Sequence, residues 1–138
     1  MNKKTNSDLI KSYTDSYFLK SKEIIKKNGD LIVTYAIFIR RPGIVAIKLA
    51  VDWIKQVAKD RRIKIQTSSP FKEGDYFGAG EPILFIKGSF KNIVDLETLL
   101  LQKIGPACIA AANAYQMCMD LPNSSFIAMD ARHCAGSE

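Results

Sequence analysis

Nowhere does the chain carry an apolar run approaching the ~18–20 residues that span a bilayer, which excludes a membrane-spanning helix from its 138 residues. The segment Met1 to Lys11 is polar and dotted with lysine. It has neither the apolar core nor the small-residue cleavage site of a secretory signal, so the expected compartment is the cytoplasm. Cysteine is sparse and odd in number. Cys108, Cys118 and Cys134 fit no C-x-x-C framework, and reduced thiols are expected. The one histidine, His133, adjoins Cys134, and consecutive residues of a strand point to opposite faces, so these two do not converge on an ion. Cys108 and Cys118 lie nearly three helical turns apart, where metal ligands need one. No metal site is expected.

Phosphate-loop and triad signatures are missing as well. Gly74, Gly78 and Gly80 match neither G-x-G-x-x-G nor the P-loop, and no helix follows them directly, so they read as turn glycines supplying positive φ. No cysteine or serine stands beside a credible base, which argues against a local hydrolase triad. Internal repeats, low-complexity segments and long linkers are also lacking.

What remains is the composition of one compact globular domain, 47% hydrophobic and 25% charged. Twenty basic residues against fourteen acidic ones leave a net charge of +6. The excess is uneven: residues 1–70 hold fifteen cations and six anions, residues 71–138 five and eight. Such a front half suits nucleic acid, acidic lipid or a phosphorylated small molecule, against the plain alternative of lysines solvating helix faces.

Residues 13–27 read as a helix, with Thr14 or Asp15 as cap and Leu19, Ile24 and Ile25 on its apolar side. Leu31 to Ile39 is continuously β-branched and aromatic, which predicts a strand covered on both faces. From Ile44 to Asp60, apolar residues Ile47, Ala50, Val51, Ile54, Val57 and Ala58 keep helical spacing. Ile63 to Thr67 and Ile83 to Lys87 read as short strands, with turns over 71–82 and at Gly88. Asn92 reads as the N-cap of a helix over Ile93 to Ile104, Asp95 favouring its positive end. Gly105-Pro106 reads as its stop, before an alanine-rich helix over Ala107 to Met119 ended by Leu121-Pro122-Asn123. A buried strand is expected at Ser125 to Met129, delivering Asp130, Arg132 and His133 where α/β proteins place ligand-contacting groups. The Arg132 fork suits a carboxylate or phosphate.

Five segments, in this order, resemble nicotinate phosphoribosyltransferase and, more broadly, the N-terminal portion of type II phosphoribosyltransferases. They are Thr14-Asp15-Ser16-Tyr17, Phe38 through Arg40-Arg41-Pro42, Glu73-Gly74-Asp75 through Gly80-Glu81-Pro82 to Gly88, Glu97 through Gln102, and Asp130-Ala131-Arg132-His133. The resemblance runs from Tyr13 onward and covers only the front portion of the family's chain. It implies a polar segment over 1–12 and, over 13–138, an N-terminal α/β domain that packs on a C-terminal α/β barrel not present here. Against the quinolinate branch stand Glu97-Thr98 where that branch shows Glu-Arg, and Arg132-His133 where it shows Arg-Lys.

By the same resemblance, the family forms nicotinate mononucleotide and pyrophosphate from nicotinate and phosphoribosyl pyrophosphate. It uses ATP and Mg2+, and assembles as a head-to-tail dimer. Tyr17 matches the tyrosine that stacks on the pyridine ring, Asp15 its neighbour, and Arg132 the arginine near the ring and its carboxylate. Arg40 and Arg41 match phosphate-facing arginines. His133 does not match the family's phosphorylated histidine, which belongs to the barrel together with the metal and pyrophosphate ligands. The chain alone is thus expected to bind no cofactor and to be inactive. The alternatives are a basic interaction or nucleic-acid-binding module, or a nonfunctional remnant. Nucleic acid is disfavoured because the aromatics of Leu31 to Ile39 read as buried.

Overall fold

The computed structural model describes residues 6–127. The elements in chain order are α1 (Asn6–Tyr13), α2 (Ser16–Asn28), β1 (Ile32–Phe38), β2 (Gly43–Ile44), α3 (Lys48–Arg61), β3 (Ile65–Ser68), β4 (Tyr76–Phe77), β5 (Pro82–Ser89), α4 (Phe90–Ile93) and α5 (Glu97–Asp120). β5 is the centre of an antiparallel sheet ordered β1-β5-β3, and β2 pairs with β4 in a separate antiparallel ribbon. The class is mixed α/β, as expected. Pro82 opens β5, where its missing N–H disturbs the ladder least. Ile83, Leu84 and Ile86 then join Ile54 of α3 and Leu100, Ile104 and Cys108 of α5 in one core.

The periodicity of α3 holds, and its start moves. Ile47, Ala50, Ile54 and Val57 are buried as their spacing requires. Residues before Lys48 are claimed by other partners: Ile44 pairs with Tyr76, and Val45 exchanges backbone hydrogen bonds with Gly74 and Asp75. The Ile47 N–H donates to the Glu73 carboxylate. Gly74 and Gly80 adopt positive φ in their turns, whereas Gly78, expected to do the same, does not.

β1 corrects the expectation of two covered faces. Ile32 and Phe38 are 65% and 53% exposed, and exposure alternates along the strand. The strand lies at the sheet edge with one face toward the core. The helix read over 13–27 divides at Thr14-Asp15, and Phe18 and Ile25, two turns apart, are its buried residues, whereas Leu19 and Ile24 are exposed. Asp15 occupies the N-cap position without a side-chain bond to its own helix. Within the segment read as polar, Asn6–Tyr13 forms α1, because Ile10 finds a buried place beside Val57, Ile93 and Leu96.

Gly88 is no turn. It lies within β5 opposite Val33 and Ile65, where a Cβ would stand 3.3 Å from Ile93 Cγ2 and 3.4 Å from the Lys64 carbonyl oxygen. Asn92 belongs to the single turn of α4, and α5 begins at Glu97 after Leu96, so neither Asn92 nor Asp95 caps it. Nor does Gly105-Pro106 end the helix: α5 runs 24 residues through Pro106. Proline forfeits one backbone bond at that point. The buried stripe Leu100, Ile104 and Cys108 continues across it at four-residue spacing and holds both halves on the core. The second half then leaves the core, exposing Ile109, Tyr115, Met117 and Met119. Ser125 to Ile127 form no strand, and Ile127 is exposed. The remainder of that expected strand, with Asp130, Arg132, His133 and Cys134, lies outside the described residues.

Candidate functional site

β1 and α2 leave an open groove of about 770 Å³ between them, lined also by residues of α4 and α5. Its aromatic wall is local in origin. Tyr17 and Phe18 are consecutive on α2, so one ring lies out and the other in: Tyr17 is 56% exposed, Phe18 is buried, and their ring centroids are 4.0 Å apart. Across the groove Tyr35 of β1 meets Phe90 of α4 edge-on, with centroids 6.4 Å apart. Among the described residues the groove also carries one arginine, Arg40, and one carboxylate, Glu97, in the first turn of α5, where the helix dipole favours a negative charge. An apolar slot walled by aromatic rings, with a fork of guanidinium donors from Arg40, can hold a planar aromatic anion.

The phenols of the groove are held in their protonated form. Burial, then the charges of Glu97 and Asp95, push the Tyr35 hydroxyl up to about 12. Tyr17 is also raised, by partial desolvation and then by Glu97 and Asp15. At neutral pH both are hydrogen-bond donors rather than bases.

Asp15 is placed by a contact that no local pattern contains. The Thr98 hydroxyl, 83 residues away, donates to Asp15 Oδ2 at 3.1 Å and ties the start of α2 to the first turn of α5. Thr14 strengthens the same junction by donating to the Asp95 carbonyl oxygen at 3.0 Å. Beneath it the buried Asp95 carboxylate accepts both guanidinium N–H groups of Arg61, at 2.9 and 3.0 Å, and the ammonium of Lys22 at 2.5 Å. Burial alone would raise the pKa of Asp95. The Arg61 and Lys22 hydrogen bonds outweigh it and hold the carboxyl below its ordinary value.

Of the five candidate residues, the fold thus gathers three. Tyr17 and Arg40 line the groove, with Asp15 at its edge beside Thr98. Arg41, exposed after β1, is not among the groove's walls, and Arg132 lies outside the described residues. Sequence reasoning missed Tyr35, Phe90 and Glu97 as groove residues. Glu97 stood in one of the five segments that carry the resemblance, the one available signal, and the two rings were indistinguishable from core aromatics. Among the described residues no three His, Cys, Asp or Glu side chains converge on a metal position. These described residues do not form a cage for Mg2+. No helix of the described residues is long and apolar enough to cross a membrane.

No curated protein matches the sequence. A nicotinate-nucleotide pyrophosphorylase from Pyrococcus furiosus superposes on 98% of this chain with a TM-score of 0.73 at 23% identity. NadC from Streptococcus pyogenes covers 86% with a TM-score of 0.64 at 17% identity. Likeness at these identities is likeness of fold. The chain spans 35% and 42% of the lengths of those two structures. Residues 13–108, the stretch that builds the groove, match the family described as quinolinate phosphoribosyl transferase, N-terminal domain. The chain therefore belongs to that family and is a type II phosphoribosyltransferase N-terminal domain.

Proposed function

We propose that this domain supplies the pyridine-facing wall of a composite active site that joins a pyridine carboxylate to phosphoribosyl pyrophosphate, giving nicotinate mononucleotide and pyrophosphate. The observation that carries the reading is the Tyr17, Arg40 and Glu97 groove lying within the family-matched stretch. As pyrophosphate departs, the sugar carbon becomes electron-poor, and the rate depends on holding the ring nitrogen in line with it. In this reading Tyr17 offers a ring face, a guanidinium fork from Arg40 or Arg132 fixes the carboxylate, and Asp15, held by Thr98, sets the angle of α2. The groups that bind the phosphoribosyl moiety, Mg2+ and ATP belong to a barrel domain, and a head-to-tail dimer brings the groove over a partner's barrel.

The substrate we propose is nicotinate. Among the described residues the groove's walls hold one arginine and one acid, which suits a monocarboxylate, and a second carboxylate there would face the charge of Glu97. The second reading is quinolinate, favoured by the description of the matching family.

The test is nucleotide formation by the chain alone, with a type II barrel domain added, and with that barrel plus Tyr17→Ala, Arg40→Ala or Arg132→Ala. Nicotinate with ATP, nicotinate without ATP, and quinolinate are offered separately. The chain alone is expected to be inactive and the mixture active on nicotinate. Each substitution should lower kcat/KM by about tenfold or more. Turnover by the chain alone, or indifference to all three substitutions, would overturn the composite site. Activity on quinolinate alone would move the substrate to the second reading.

A further inference from the structure

A different face of α2 borders a second concavity, in which cations prevail. Lys22 and Lys26, one helical turn apart, stand with Arg61 from the end of α3 and with Lys91 and Asn92 of α4 around a cleft of about 400 Å³. An adjoining cleft of about 390 Å³ shares Asn92 and adds Lys64 of the loop before β3 and Lys87 of β5. Six cations, which belong to elements far apart in sequence, thus line two concavities that share Asn92 in their walls. The acids close by are Glu23 in the wall, Asp30, which accepts from the Lys91 backbone N–H, and the buried Asp95.

The first cleft has a fixed floor. Asp95 holds Arg61 bidentately and Lys22 by its ammonium, and Arg61 donates also to the Asn92 carbonyl oxygen at 3.2 Å. Two cations with side chains only 20% and 33% exposed are therefore set in place, offset by one carboxylate. Lys26 and Lys91 border the same space and form no ion pair within 4 Å among the described residues. A concavity with surplus positive charge and partly desolvated donors attracts an anion more strongly than dispersed surface lysines do.

We propose that these two clefts, which meet at Asn92 in this reading, bind a small ligand bearing a diphosphate, one phosphate seated by Lys22, Lys26 and Lys91 and the next reaching toward Lys64 and Lys87 past Asn92. Two adjoining seats of like charge fit two linked phosphates better than a single one. A nucleic-acid strand fits poorly, because among the described residues neither cleft has an aromatic ring in its wall on which a base could stack. The site is separate from the Tyr17 groove and does not depend on the activity proposed for it.

Isothermal titration of the 138-residue chain with inorganic pyrophosphate, at constant ionic strength, is the test. Saturable one-to-one binding is expected. The double substitution Lys26→Gln with Lys91→Gln should weaken it about tenfold or more, since both exposed lysines donate to the ligand. A charge-matched control, Lys55→Gln with Lys72→Gln, and Tyr17→Ala should each change it less than about twofold. Circular dichroism of each variant confirms that the fold is intact. Absence of saturable binding, or equal weakening in the test and control doubles, overturns the proposal. Tighter binding of a single-stranded oligonucleotide that displaces pyrophosphate would overturn the ligand class.

Discussion

Replacing Asp95 by asparagine would leave two cations facing each other in a space built for three groups. Arg61 and Lys22 would lose the charge between them while remaining 20% and 33% exposed. Breaking a buried ion pair costs about 3–5 kcal/mol. Lys22 can turn its ammonium toward water, and the asparagine oxygen keeps one acceptor, so the expected loss is about 2–3 kcal/mol. For a domain of this size that lowers Tm by roughly 10 °C, read from the far-ultraviolet dichroism. The pH dependence separates the charge from the shape. Because the folded carboxyl lies below its ordinary 3.8, its contribution is fully present above pH 3.8 and is lost as the pH falls through the folded value. Asparagine does not titrate, so the gap between wild type and Asp95→Asn should be full at neutral pH and narrow on acidification below 3.8. A variant within about 0.5 kcal/mol of wild type at pH 7, or a gap independent of pH down to acid unfolding, would refute the reasoning.

Two further outcomes test the fold around the groove. In an alkaline absorbance titration of the five tyrosines, one should ionise only near pH 12, and Tyr35→Phe should remove that step. With a folded value above the usual 10.0, Tyr35 contributes stability that is present below pH 10 and lost as the pH rises toward 12, so Tyr35→Phe should flatten the alkaline limb. Gly88→Ala brings a methyl against Ile93 Cγ2 and the Lys64 carbonyl oxygen, and should lower the urea-unfolding free energy by about 1 kcal/mol, with Gly88→Val worse. A gain in stability for Gly88→Ala would show that the neighbours yield freely.

The groove was legible in part because part of it is local. Asp15 and Tyr17 stand two residues apart at the start of one helix, and a sequence motif carries such a pair intact. Arg40 stands two residues past the end of β1 and lines the groove from there. Thr98, Glu97, Tyr35 and Phe90 come from other elements, and only their packing says that they face Tyr17.

By itself the sequence determined the α/β class, the apolar stripe of α3 and the positive-φ turns at Gly74 and Gly80, because periodicity and backbone sterics act over a few residues. It did not determine which face of β1 is covered, since a continuous apolar run reads alike for a central strand and for an edge strand. Nor did it show that α5 continues through Pro106, where burial of Leu100, Ile104 and Cys108 on both sides of the proline offsets one lost backbone bond. Asp95 reads in sequence as a helix-end acid. Tertiary structure alone brings Arg61 and Lys22 to it, from 34 and 73 residues away, and turns a surface charge into the buried node on which the second cleft rests. Coulombic attraction acts through space, so the partners of a charge are set by the fold that carries them there.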